Sequence, residues 1–99
     1  NVPLVISTLN NCSQIDNNVL KSPAPNVVLV AFGDNALMFE LRVWIEDADV
    51  KIQVRSNIYL EIERQFREKG IEFAFPQLVV HQHGNKAHND KSESSTAEI

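Results

Sequence analysis

The chain has few of the residues that mark specialised protein classes. Its single cysteine, Cys12, cannot form an internal disulfide, so the sequence predicts a reducing compartment rather than a disulfide-stabilised secreted domain. Its three glycines form neither a phosphate-binding loop nor a nucleophile elbow. The longest apolar run, residues 27–32, has six residues, whereas a membrane-spanning helix needs about 20. These absences predict no membrane span within the chain, no enzymatic activity and no cofactor.

Positive charge is also scarce. Nine Lys and Arg residues face thirteen Asp and Glu residues, which gives a net charge of −4. An acidic chain does not attract polyanions, so nucleic acid is not an expected partner. With 99 residues, of which 43% are apolar, the chain has the size of one globular domain with a modest core.

Two early segments have different hydrophobic periods. Val2, Val5 and Leu9 recur at helical steps, which predicts an amphipathic helix that ends near Ser13. A continuous apolar run then covers residues 27–32, and apolar and polar residues alternate over residues 37–45, as in strands. Between these runs lie turn-forming residues, so we expect an antiparallel hairpin that turns at Gly33, Asp34 and Asn35.

The second half of the chain predicts one long helix and two short strands. Apolar residues share one helical face over residues 50–69. Asp47 or Asp49 precedes this helix as an N-terminal cap, and Gly70 follows it as a C-terminal cap in the left-handed conformation. Alternation over residues 71–75 predicts a strand, which Pro76 ends or pushes to an edge. A second apolar run begins at Leu78 and predicts a short terminal strand.

This order of helix, strand, strand, helix, strand predicts an α+β fold, a two-layer sandwich with both helices on one face of the sheet. It resembles a ferredoxin-like unit without its first strand. We expect three parts: the sandwich domain over residues 1–77, a carboxy-terminal oligomerisation strand over residues 78–83, and a disordered tail over residues 84–99 that is poor in apolar side chains.

Two groups of residues have the chemistry of metal ligands. The acidic cluster of Glu46, Asp47 and Asp49 offers oxygen ligands, but its spacing is not that of a calcium loop, and carboxylates are common before a helix. His81 and His83 project from the same side of a strand, with His88 further on, but no further ligand is placed to complete a tetrahedron. We therefore expect no metal site.

Two further features could carry chemistry or binding. Cys12 lies at apolar spacing on the first helix, which indicates a small core residue rather than a nucleophile. Arg42 and Trp44 lie on the same side of their strand, where a cation and an aromatic ring can stack on RNA bases. A structural contact is the more common use of such a pair, particularly in an acidic chain.

Several stretches resemble the carboxy-terminal cytosolic domain of the small-conductance mechanosensitive channel family. The similarity covers roughly residues 23–81. The stretches, in chain order, are residues 32–37 and 39–45 of the hairpin, Arg55-Ser56-Asn57 in the long helix, residues 66–72 at its end, Phe75-Pro76-Gln77, and Val80-His81.

The resemblance implies a subunit of a channel that protects the cell against osmotic stress. It implies a ring of seven subunits, membrane helices upstream of this chain, a cytosolic cage below the pore, and a position at the cytoplasmic face of the cell membrane. It also implies that the last strand joins its ring mates. The sequence supports this independently, because an apolar edge strand needs a pairing partner. We expect the domain's own sheet to end near Pro76 and the subunit interface to consist of Pro76, Gln77, Leu78, Val79, Val80 and His81.

Two other functions compete with this interpretation. The first is a stand-alone ligand-binding regulatory domain, which needs a pocket between helices and sheet with a few polar groups. The second is a metal-dependent enzyme or sensor that uses His81 and His83.

Overall fold

The structure is a computed structural model that describes residues 2–32, 34, 36–72 and 75–84. Its elements, in chain order, are helix α1 (Val2–Ser13), strand β1 (Asn26–Phe32), strand β2 (Ala36–Ile45), a 3-10 turn (Ala48–Val50), helix α2 (Lys51–Lys69) and strand β3 (Gln77–Gln82). The predicted α+β class is confirmed.

Helix α1 and the hairpin form as the local patterns predict. Helix α1 ends at Ser13, and its buried face carries Val5, Leu9 and Cys12. Strands β1 and β2 pair antiparallel in a register that runs from Asn26 opposite Arg42 to residue 32 opposite residue 36. The hairpin is therefore confirmed, although Gly33 and Asn35 of its turn lie outside the described residues.

Helix α2 covers the predicted range, but the expected Asp cap belongs to the 3-10 turn that precedes it. Asp47 caps the 3-10 turn, where its Oδ1 accepts a hydrogen bond from the Asp49 backbone N–H at 2.9 Å. Val50, which precedes α2, makes no side-chain cap. At the other end Gly70 adopts a left-handed conformation with φ of 69° and closes the helix, as expected.

The third strand of the sheet differs from the prediction. The expected strand over residues 71–75 does not form at Ile71, Glu72 or Phe75, and its middle residues lie outside the described part of the chain. Instead β3 pairs parallel with β2, from Gln77 opposite Glu40 to Gln82 opposite Ile45. The prediction that the domain's own sheet ends near Pro76 is wrong, because the run after Pro76 supplies the side chains that reach the core.

The core lies between the sheet and the two helices. Leu41 and Val43 of β2 belong to the same buried cluster as Leu9 of α1 and Ile58 of α2. Both helices therefore cover one face of the sheet, and the opposite face has no helix over it among the described residues.

Candidate functional site

The predicted interface segment forms the edge strand of the sheet described above. Strand β3 follows β2 in the order β1-β2-β3. Beyond its end the backbone N–H of His83 still donates to the carbonyl oxygen of Ile45 at 2.8 Å. The pairing with β2 therefore extends over the whole segment.

The side chains of β3 divide between two faces because successive residues of a strand point in opposite directions. Leu78 and Val80 are fully buried in the core, with 0% of their surface exposed. A sheet that ended near Pro76, as predicted, would have left them to be buried by neighbouring subunits, and the structure shows that this is wrong. Their burial is complete within one chain, so a charge at Val80 would unfold the domain itself.

The other side chains of β3 lie on the face without helices. Gln77, Val79 and His81 are there, and the register with β2 places them beside three residues of that strand. We call this surface the open-face strip; it consists of Gln77, Val79, His81, Glu40, Arg42 and Trp44. Of the predicted interface residues, the strip contains three.

Contacts within the open-face strip hold its larger side chains in place. The rings of Trp44 and His81 are stacked with centroids 5.0 Å apart. The Nε of Arg42 donates to Glu40 Oε2 at 3.0 Å. Val79 beside them is only 8% exposed. The strip is therefore a preformed, mixed apolar and charged surface rather than a set of independently moving side chains.

Tyr59 of α2 holds the beginning of β3. Its hydroxyl accepts a hydrogen bond from the Leu78 backbone N–H at 3.2 Å and lies 3.4 Å from the carbonyl oxygen of Pro76, to which it donates. Burial raises the pKa of the Tyr59 hydroxyl. Its ring also stacks on Phe75, with centroids 6.3 Å apart. From the sequence, Tyr59 is assigned only to an apolar helix face, because no local pattern shows a partner 19 residues away.

The candidate metal ligands do not assemble into a site. In the ranges 2–32, 34, 36–72 and 75–84, no three His, Cys, Asp or Glu side chains are grouped so that they could hold a metal ion. Asp47 acts as the cap described above, and His81 stacks on Trp44. His83 is exposed beyond the end of β3. His88 lies outside the described residues.

Cys12, Arg42 and Trp44 are each in contact with other residues of the domain. Cys12 is fully buried in the core cluster, and burial raises the pKa of its thiol to about 11, so the thiol stays protonated and weakly reactive. Arg42 is paired with Glu40, and Trp44 with His81. Both side chains thus have the structural contacts that are the more common use of such a pair.

A groove with a volume of about 510 Å³ lies at the surface, where the loop after α1 meets α2. Asp16 of that loop accepts a hydrogen bond from the Asn57 side chain at 2.8 Å. The stand-alone ligand-binding alternative needs a pocket between helices and sheet, and this groove is not in that position. Its lining consists of Ile15, Asp16, Asn17, Asn18, Gln53, Asn57, Leu60, Glu61 and Arg64.

Within the part of the chain that the structure describes, neither α1 nor α2 combines the length and the apolar character that a helix needs to cross a bilayer.

Comparisons with known proteins agree with one another. Residues 1–73 match the family model described as the C-terminal part of the mechanosensitive ion channel MscS. An uncharacterized MscS family protein of Synechocystis sp. is 33% identical over 69 residues, which is 68% of this chain and 23% of the relative. One of Haemophilus influenzae is 30% identical over 77 residues, which is 78% of this chain and 7% of the relative. No solved structure matches the chain. The chain thus spans less than a quarter of the length of either relative.

Proposed function

This chain belongs to the MscS family of mechanosensitive ion channels, and from that membership we propose that it is a cytosolic, carboxy-terminal assembly domain of such a channel. In this role it catalyses no reaction. It helps to hold the subunits together below the pore, at the cytoplasmic face of the cell membrane. Tension sensing and osmotic protection belong to membrane helices outside the chain.

The observation that supports this proposal most directly is the open-face strip. It places aromatic, apolar and charged side chains side by side on a face that the helices leave uncovered. Interfaces are enriched in such aromatic residues and arginine. The strip contains Gln77, Val79 and His81 of the proposed interface segment, Pro76 to His81.

We propose that the assembly is a ring of seven subunits and that the segment from Pro76 to His81 contributes to the contacts between neighbours. Because Leu78 and Val80 are buried inside the domain, their part is to fix the position of the strand. Gln77 and His81 are half-buried and retain surface for a neighbour. The family resemblance of this segment and its position at the edge of the sheet support the proposal.

A charge-addition experiment tests the assembly role in the intact channel subunit. The double variant Gln77→Glu and His81→Glu adds two carboxylates to the strip beside Glu40, without touching the core. We expect sedimentation of the solubilised channel to shift from a heptamer to smaller species, because like charges meet at every subunit contact. The emission of Trp44, the only tryptophan of the 99 residues, reports on the strip directly.

The matched control is Gln53→Glu with Ser56→Glu, which adds the same charge to exposed positions of α2. A channel that stays heptameric in both variants would contradict the proposed interface. Independently, an upstream coding region without apolar stretches of about 20 residues would contradict the channel function.

A further inference from the structure

We infer that the free edge of β1 pairs with the β1 edge of a second copy of this chain, antiparallel and about a two-fold axis. The two domains then share one continuous sheet of six strands. This contact differs from those between neighbours in a ring of seven, because a ring repeats one contact head to tail, whereas a two-fold contact joins only two chains. The inference therefore goes beyond the proposed function and does not depend on it.

Strand β1 lies at the edge of the sheet opposite β3, and among the described residues it pairs only with β2. An edge strand presents unpaired backbone N–H and C=O groups to any strand that comes alongside. Proteins usually protect such edges with charged side chains, with a proline in the strand or with a bulge. Strand β1 has none of these: residues 22–33 carry no charge, Pro25 lies before the strand, and the register with β2 is continuous.

The side chains of β1 leave apolar surface uncovered on both faces of the sheet. Leu29 lies on the helix side, opposite Phe39, and is 48% exposed. Leu37 on the same face is 67% exposed, so the helices leave this part of the hairpin uncovered. Val28 and Val30 are half-buried on the open face. In β3, by contrast, the three apolar side chains are at most 8% exposed, so pairing along β1 covers more apolar surface than pairing along β3.

The sequence of β1 fits a second copy of itself. In an antiparallel pair centred on Leu29, the two Leu29 side chains lie directly opposite each other, and Val28 of one chain lies opposite Val30 of the other. Directly opposed apolar and β-branched side chains stabilise a pair of strands, and no like charges meet in this one. The two-fold axis is perpendicular to the sheet, so both copies keep their helices on the same side, and each contact away from the axis occurs twice.

The size of the contact sets its strength. Strand β1 has seven residues, which makes it about 23 Å long. Two such strands bury less than the roughly 1,200 Å² of stable complexes. We therefore expect a weak dimer that dissociates at micromolar concentration and forms towards ~1 mM. The chain is thus a monomer in dilute solution, and the dimer is a property of the concentrated protein.

Sedimentation equilibrium of the 99-residue chain at ~10 µM and ~1 mM tests the contact. We expect the mean mass to rise from 11.2 kDa towards twice that value at the higher concentration. Leu29→Lys should abolish this rise, because it places two like charges directly opposite each other at the axis. The matched control, Leu37→Lys, should keep the rise, because it adds the same charge to a more exposed leucine of the same face, one strand away from the contact. Circular dichroism verifies that both variants are folded.

Disulfide trapping tests the register independently of charge. Leu29→Cys should give a disulfide-linked dimer at ~1 mM in several-fold higher yield than Leu37→Cys, since opposed residues of paired strands have Cβ atoms within about 5.5 Å. A mixture of Val28→Cys and Val30→Cys chains should cross-link more than either chain alone. The native Cys12 is buried, with a thiol pKa raised to about 11, and does not compete.

A parent chain that stays at 11.2 kDa at ~1 mM would overturn the inference. Equal disulfide yields at the two leucine positions, or a rise in mass that Leu29→Lys leaves unchanged, would place the contact on another surface and overturn it as well. These results are distinct from failure of the proposed function, because they concern the isolated chain and not the solubilised channel. If β1 pairs as expected but the charge variants of the strip leave the channel heptameric, only the proposed ring interface is wrong.

Discussion

Gly70 shows how one residue ends an element of this domain. Its φ of 69° lies in the left-handed region, and its backbone N–H bonds to carbonyl oxygens of the last turn, those of Phe66 and Arg67. Because an added Cβ there would meet no atom within 4 Å, the cost of Gly70→Ala is conformational rather than steric.

We predict that Gly70→Ala lowers the free energy of unfolding by about 1 kcal/mol, and that Gly70→Asn costs less because Asn tolerates this conformation. Urea unfolding of both variants beside the parent chain measures the difference. Equal midpoints for all three chains would show that the left-handed conformation is not required.

Asp16 ties the loop after α1 to α2. Burial acts to raise the pKa of its carboxyl, but hydrogen bonds from Asn57 and Asn18 outweigh it and lower the pKa below the ordinary value of 3.8. The stabilisation from a lowered folded-state pKa is present above the unfolded value and is lost as the pH falls through the folded value. The domain should therefore lose stability in acid.

We predict that the urea midpoint of the parent chain decreases when the pH is lowered from about 7 to about 3. In Asp16→Asn this decrease should be smaller, because the substitution lowers the midpoint mainly at the higher pH. Glu61 and Glu63, whose pKa values are also lowered by their arginine partners, keep part of the pH dependence. The control is Asp34→Asn at the exposed hairpin turn. If the urea midpoint of Asp16→Asn decreases between the two pH values as much as that of the parent chain, the loop contact does not stabilise the domain.

At the scale of elements, β3 belongs to the domain through its inward side chains. Leu78 has no exposed surface, whereas Leu60 on the outer side of α2 is 68% exposed. The same substitution at the two positions therefore separates burial from residue type.

We predict that Leu78→Ala lowers the free energy of unfolding by about 2–5 kcal/mol, because it removes buried methyl groups and leaves a cavity. Leu60→Ala should change it by no more than about 0.5 kcal/mol. Thermal or urea unfolding compares the two variants. Similar small effects at both positions would mean that β3 is not part of the core.

At the scale of the whole molecule, burial of Leu78 and Val80 within one chain removes their need for a neighbour to cover them, while the outer edge of β3 has no pairing strand among the described residues. Association of two chains costs several kcal/mol of lost translational and rotational freedom before any contact contributes. A surface of six side chains, such as the open-face strip, provides only a small contact area in return.

We therefore predict that the 99-residue chain sediments as a monomer of 11.2 kDa at micromolar concentration. In the proposed channel, assembly would then depend on membrane helices that raise the local concentration of the domains. Sedimentation velocity over a range of concentrations checks this. A stable heptamer of the isolated chain would show that the domain contacts suffice alone.

The sequence by itself determined α1, the β1–β2 hairpin and the body and end of α2. These elements depend on local signals: apolar residues at steps of three and four, strict alternation, turn residues, and Gly70 after Lys69. The family was recognisable for the same reason, since its motifs are short local stretches, most of them in the hairpin and α2 and two of them, Phe75-Pro76-Gln77 and Val80-His81, further on.

Only the tertiary structure decided which apolar run after Gly70 becomes the third strand and where that strand lies. Parallel pairing joins residues nearly 40 positions apart, as in Glu40 with Gln77, and periodicity within one strand carries no information on its neighbour. The bond from the Leu78 N–H to Tyr59 likewise forms only after α2 has packed on the sheet. The division of β3 into buried Leu78 and Val80 and open-face Gln77 and His81 follows from that placement, because the sheet has two faces and only one is covered by helices.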